Sequence, residues 1–186
     1  AYLKSSETIK NALDLFEDEP KIGIVGLPLT FPDGSVQTAA FAFMSLRKMS
    51  LQAMHVHTLA RSMMKRSSLQ FVFKALSRFS IAHSFVNQHL AETDNKTHQA
   101  YDWVCGAALL LRKEVYDATG GFDESIFLYG EDELLSYRST EQGYQTVQLF
   151  TDAVVHDFGW GNHQKKNAKV QKLKYEGLSH VIDCYH

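Results

Sequence analysis

A chain of 186 residues that is 45% hydrophobic and 22% charged has the makeup of a folded domain, and twelve Phe, eight Tyr and two Trp exclude disorder as its overall state. Its two cysteines, Cys105 and Cys184, are too few for a disulfide scaffold and lack metal-ligand spacing, which makes a reducing compartment the simpler reading. The net charge of −2 conceals a segregation: no Asp or Glu occurs between Gly34 and Glu92, where seven basic residues and all five Met lie, so the rest carries 12 basic against 21 acidic residues.

Residues 6–18 read as a helix that Ser5 or Ser6 can cap, with Ile9, Leu13 and Phe16 on one face. Pro20 stops it. Ile22 to Val25 reads as a buried strand, and Phe31-Pro32-Asp33-Gly34 as a turn. Residues 45–66 and 68–86 read as helices with basic faces, followed by a polar linker over 91–99. The apolar run from Trp103 to Leu111 reads as one strand covered on both faces. Lys113 to Thr119 is a short helix ended by Gly120-Gly121, and Glu131 to Gln142 is a second. Thr146 to Phe150 and Ala153 to His156 are β-rich, and the tail over 164–185 is helical in pattern. Strands alternating with helices point to an α/β architecture. No apolar stretch approaches the roughly 20 residues that span a bilayer. The first residue is Ala1 and no signal peptide opens the chain, so its start reads as a processed or cut boundary.

Three places can carry chemistry. Gly130 permits a tight turn into a helix whose first residues are Glu131 and Asp132, where free N–H groups and the helix dipole favour an anion. A carboxylate held there suits a general base or a metal ligand; ordinary helix capping explains the same residues. His156 ends an apolar strand and can be a metal ligand, a proton shuttle or a satisfied histidine. The loop Gly159-Trp160-Gly161-Asn162-His163 after it can close over a ligand or simply turn. Asp102-Trp103-Val104-Cys105-Gly106 can line a ligand or pack a core, and nothing near Cys105 would activate it. The basic interval fits a surface lying on anionic lipid, a partner contact or a solvated helix face, and it holds no nucleic-acid motif.

Taken in order, Gly23-Ile24-Val25-Gly26, Pro32-Asp33-Gly34-Ser35-Val36-Gln37, Asp102-Trp103-Val104-Cys105-Gly106-Ala107, Arg112-Lys113, Gly120-Gly121-Phe122-Asp123-Glu124, Tyr129-Gly130-Glu131-Asp132, Arg138, Gly143-Tyr144 and Val154-Val155-His156 resemble the C-terminal half of a family 2 glycosyltransferase of the rhamnosyltransferase-like bacterial kind. The resemblance runs over about residues 6–163. It implies an α/β fold of GT-A type, present as the acceptor-side half with a helical insertion. The segments would be 1–36, the start of that half; 37–100, the basic insertion and linker; 101–163, the catalytic segment; and 164–186, a helical tail.

The resemblance further implies transfer of a sugar, with inversion, from a nucleotide sugar to a carbohydrate or lipid-linked acceptor in cell-surface polysaccharide synthesis. Asp132 would be the base, and His156 a ligand of a divalent metal, Mg or Mn. Asp102, Trp103, Gly106, Glu131 and Trp160 would line the pocket. The family's Asp-x-Asp, which grips metal and diphosphate, occurs nowhere in this sequence. The expectation is therefore a chain incomplete on its donor side. It would be cytoplasmic or on the cytoplasmic face of the inner membrane, and would self-associate through an unpaired strand edge. The alternatives are an inactive membrane- or partner-binding module, and a metal-dependent hydrolase using Glu131, Asp132 and His156.

Overall fold

The computed structural model describes residues 1–45, 97–157 and 168–185. The helices expected over 45–66 and 68–86 lie, but for Ser45, outside the described residues, as does Trp160 with its loop. The chain divides into two compact units, residues 1–43 with 95–186, and residues 44–94. The first unit carries the elements set out below.

Helix α1 (Glu7–Asp18) opens it, with Ser5 Oγ accepting from the Glu7 N–H at 3.1 Å. Its buried face is Thr8, Ala12, Leu15 and Phe16, whereas Leu13 is 51% exposed. The stripe expected through Leu13 is thus rotated by about one residue, because Ala12 fits the close approach to the core that a leucine would crowd. Strand β1 (Ile22–Gly26) is buried at every position. Strands β2 (Leu29–Thr30) and β3 (Val36–Gln37) form a hairpin across the Phe31–Gly34 turn, where Gly34 takes φ +84°. Strand β4 is Ala40–Phe41 and β5 is His98–Tyr101. The polar linker expected up to Gln99 therefore ends in a strand; β5 lies at a sheet edge, half exposed, where polar side chains face water.

The run from Trp103 to Leu111 is not one strand. It breaks into β6 (Trp103–Val104) and β7 (Leu109–Leu111) around a turn closed by the Ala108 N–H on the Cys105 carbonyl. Apolar character alone hid this break, and Gly106 marks its place. Helix α2 (Lys113–Thr119) ends on left-handed Gly120 as expected. Helix α3 (Glu131–Glu141), β8 (Gln145–Leu149), β9 (Val154–Val155) and helix α4 (Ala168–Cys184) complete the order.

The fold is mixed α/β. A four-stranded sheet runs β5-β8-β1-β7, with β1 parallel to β8 and both edges antiparallel to their neighbours. A three-stranded sheet runs β3-β2-β9, and β4 pairs with β6. Ile22, Val25, Leu27, Leu29, Val147, Leu149 and Val154 meet Ala12, Leu15 and Phe16 of α1 in the main core. Arg112 ties α1 to this sheet: its guanidinium donates to the carbonyls of Phe16, Glu19 and Ile22 and lies 4.8 Å over the Phe16 ring. A cation at the C-terminal end of α1 satisfies carbonyls that the helix leaves open. No helix among the described residues is long and apolar enough to cross a membrane.

Candidate active site

The turn between β6 and β7 faces the first turn of α3. Gly130, at φ +110°, delivers the chain into α3, so that Glu131, Asp132 and Glu133 occupy its first three positions. The Asp132 carboxylate is gripped from both sides: Oδ2 accepts the Gly106 backbone N–H at 2.9 Å, and Oδ1 accepts the Glu133 N–H at 2.9 Å. A Cβ on residue 106 would stand 3.5 Å from the Asp132 Cβ, an ordinary contact, so Gly106 serves the carboxylate through its backbone N–H. Burial pushes the Asp132 carboxyl up to about 6, with the neighbouring Glu131 charge adding to the rise and the two N–H bonds opposing it. Such a group is ionised at neutral pH yet basic enough to take a proton, the property a general base needs. Capping of α3 does not exclude such a role, since one carboxylate oxygen accepts a first-turn N–H of the helix while the other reaches across to the turn.

Glu131 lies beside it with Oε2 buried and without a hydrogen-bond partner among the described residues. Cys105 is in the same turn; burial raises its thiol above the ordinary value, with Asp132 and Glu131 acting in the same sense, so it is held protonated as the sequence led us to expect. Trp103 stacks on Phe41 with ring centroids 4.4 Å apart, and its indole N–H donates to the Ala42 carbonyl at 3.3 Å. Asp102 accepts the Phe43 N–H at 2.8 Å, fixing the segment that follows β4. Asp132, Glu131 and Gly106 are thus brought together directly. Trp103 lies in β6, which pairs with β4 and runs into the same turn, and Asp102 directly precedes it.

His156 belongs to a different surround. It follows β9 in the small sheet, its backbone N–H donates to the Thr30 carbonyl, and its Nδ1 lies 3.2 Å from Gln37 Oε1. Burial, and then the positive N-terminus, holds its imidazole below the usual range, favouring the neutral ring. Gln37 is a neighbour that the Pro32–Gln37 motif contained and sequence reasoning did not connect to His156. Among the described residues no three His, Cys, Asp or Glu side chains converge as a metal site.

Sequence reasoning also missed a buried layer behind Asp132. Glu133 is fully buried, and Tyr185 of the C-terminal segment donates its hydroxyl to Glu133 Oε1 at 2.6 Å. Burial, then this carboxylate, pushes the Tyr185 phenol far above its ordinary value. Tyr137 and Phe43 pack on the Tyr185 ring at 4.3 and 5.6 Å between centroids. Beside them, Asp123 accepts from Ser125 and pairs with Arg138 at 2.7 Å, and its carboxyl is pulled down to about 2 by the Ser125 hydrogen bonds first and Arg138 after them. The Gly-Gly-Phe-Asp motif is thus a brace for α3.

No family model matches the chain, and no solved structure matches it. Two curated relatives do. They are the N-acetylglucosaminyl-diphospho-decaprenol L-rhamnosyltransferases of Mycobacterium tuberculosis strains CDC 1551 / Oshkosh and ATCC 25618 / H37Rv, each 26% identical to this chain over 149 residues, or 80% of it. The chain spans 42% of the length of these relatives. The likeness supports a glycosyltransferase-like family.

Proposed function

We propose that this chain is the acceptor-side portion of a GT-A-type glycosyltransferase of family 2, one that moves a sugar from a nucleotide sugar to a carbohydrate or lipid-linked acceptor with inversion, in cell-surface polysaccharide synthesis. The observation that carries the reading is the Asp132 carboxylate at the start of α3, held on the Gly106 and Glu133 N–H groups with its carboxyl raised to about 6.

In the proposed step, Asp132 takes the proton of an acceptor hydroxyl as that oxygen attacks the anomeric carbon. The bond from this carbon to the nucleoside diphosphate breaks, and the diphosphate leaves with the electron pair. Attack from the side opposite the leaving group inverts the centre. Trp103 offers an aromatic face for a sugar ring, Asp102 and Glu131 offer acceptors for its hydroxyls, and the Gly106 N–H holds one oxygen of the base. The divalent metal of the proposal, Mg or Mn, would be held by His156 together with a donor-side Asp-x-Asp that is not in this sequence.

Support comes from the named rhamnosyltransferases at 26% identity and from the motif order that the resemblance rests on. The acid-free interval 35–91, with its seven basic residues, is the part proposed to lie against anionic lipid, and nucleic acid has no place in the reading. Mixing the chain with a panel of nucleotide sugars, Mn²⁺ and prenyl-diphosphate-linked saccharide acceptors tests the proposal. Weak donor binding with acceptor binding that Trp103→Ala abolishes is expected of an acceptor-side portion. Acceptor binding indifferent to both Trp103→Ala and Asp132→Asn would overturn it.

A further inference from the structure

The chain enters α3 through an uncommon backbone. Tyr129 has φ +65°, a left-handed conformation that is an outlier for a bulky L-residue, and Gly130 follows at φ +110°. Such a step persists only where the surroundings hold it. The surroundings are α4. Gly177, buried in the middle of that helix, lies against the carbonyls of Leu128 and Tyr129; a Cβ on residue 177 would run into the Tyr129 oxygen and stand 3.0 Å from that of Leu128. One turn on, Val181 is fully buried against Ile126 and Leu134, and a Cβ on Gly130 would meet its Cγ2 at 2.8 Å. Just past the end of α4, Tyr185 donates to the buried Glu133, the residue after Asp132. His180, on the neighbouring face, lies 3.3 Å from Ser125 Oγ and 3.8 Å from Asp123. One helix and the residue just past its end thus seize the segment before Asp132 and the residue after it.

We propose that α4 is a positioning element for Asp132. Gly177, Val181 and Tyr185 hold the left-handed Tyr129–Gly130 step in the arrangement that sets the Asp132 carboxylate on the Gly106 amide. Gly177 is the pivotal residue, because only glycine lets the two backbones approach this closely. Tyr185 is a positioning residue that acts through Glu133. The inference rests on reading Asp132 as the reacting group, yet its geometry can be measured without any sugar transfer.

The test is NMR on the full chain at one neutral pH. In the wild type the Gly106 amide proton, bonded to a carboxylate, should be shifted downfield and protected from exchange. Gly177→Ala should speed exchange at Gly106 by about tenfold or more and move its resonance upfield, while the amides of Val25 and Val147 in the central sheet keep their rates. Tyr185→Phe, which removes one oxygen, should act in the same direction to a smaller extent. A Gly106 amide unchanged in Gly177→Ala overturns the proposal. Should Gly177→Ala fail to fold, Tyr185→Phe decides alone: faster exchange at Gly106 with steady core amides supports the proposal, and an unchanged Gly106 overturns it. Acceptor binding indifferent to both Trp103→Ala and Asp132→Asn, beside these NMR changes, would count against the glycosyltransferase reading and leave the positioning role standing.

Discussion

The backbone N–H of Gly106 donates to the Asp132 carboxylate at 2.9 Å across 26 residues of sequence, joining the β6–β7 turn to the first turn of α3. That single bond makes a capping residue into a candidate base. It fixes one oxygen of the carboxylate on a turn lined by Trp103 and Cys105, whereas an ordinary cap would face only its own helix.

Asp132 should set a characteristic dependence of stability on pH. Its carboxyl sits near 6 in the folded chain and near the ordinary 3.8 when unfolded. Between those values the folded state holds a proton that the unfolded state has released. The contribution to stability is therefore complete below about pH 4 and is lost as pH rises through 6, a difference of roughly 3 kcal/mol. Urea unfolding from pH 4.5 to 7.5 should show Asp132→Asn gaining stability relative to the wild type as pH rises. Parallel pH profiles for the two proteins would show that the carboxyl is not raised.

The same carboxyl predicts an activity profile. A base that must be ionised works above its pKa, so transfer by the intact enzyme should rise with pH through about 6. Asp132→Asn should lower kcat by at least about 10²-fold. Gly106→Pro removes an N–H bond that holds the carboxyl down, so the acidic limb should move to higher pH. An acidic limb that stays in place in the proline variant, with the protein folded by thermal unfolding, would separate Asp132 from the profile.

Much of this site is legible in the chain itself. Gly130 followed by three acids announces a helix start, and Asp102-Trp103 leads into the turn that Asp132 reaches. The turn at Gly106 is not legible, because an apolar run from Trp103 to Leu111 has the composition of a continuous strand whether or not it folds back. The rotation of α1 that exposes Leu13 is hidden for a similar reason, since Ile9-Leu13-Phe16 and Thr8-Ala12-Leu15 are both helical stripes. The Tyr185–Glu133 bond joins residues 52 apart and carries no local pattern at all. His156 and Gln37, 119 apart, meet because β9 and β3 both flank β2, a pairing that follows from sheet order.

The brace of Asp123 on Arg138 should make the chain acid-sensitive in a different range. A carboxyl near 2 when folded and 3.8 when unfolded contributes stability that is fully present above about pH 4 and is lost as pH falls toward 2. Arg138→Ala removes one of several partners of a partly exposed acid and should cost on the order of 1 kcal/mol at pH 7. Asp123→Ala should cost more, because the Ser125 turn opens as well. Equal losses by chemical unfolding would show that Ser125 contributes nothing.

Arg112 yields the most localised prediction. Its guanidinium serves carbonyls at the end of α1 and at the start of β1, and its own N–H donates to the Gly23 carbonyl. Each acceptor is neutral, so this is capping by a cation and not an ion pair, and salt should screen it weakly. Arg112→Ala leaves those carbonyls to water and removes the stack on Phe16, for a loss of about 2–3 kcal/mol. Arg112→Lys keeps the charge but cannot fork to two carbonyls, and should restore less than half of that loss. Denaturant unfolding of the three proteins in low and high salt checks both points. Full recovery by lysine, or a loss that vanishes in high salt, would mean that charge alone holds α1 to the sheet.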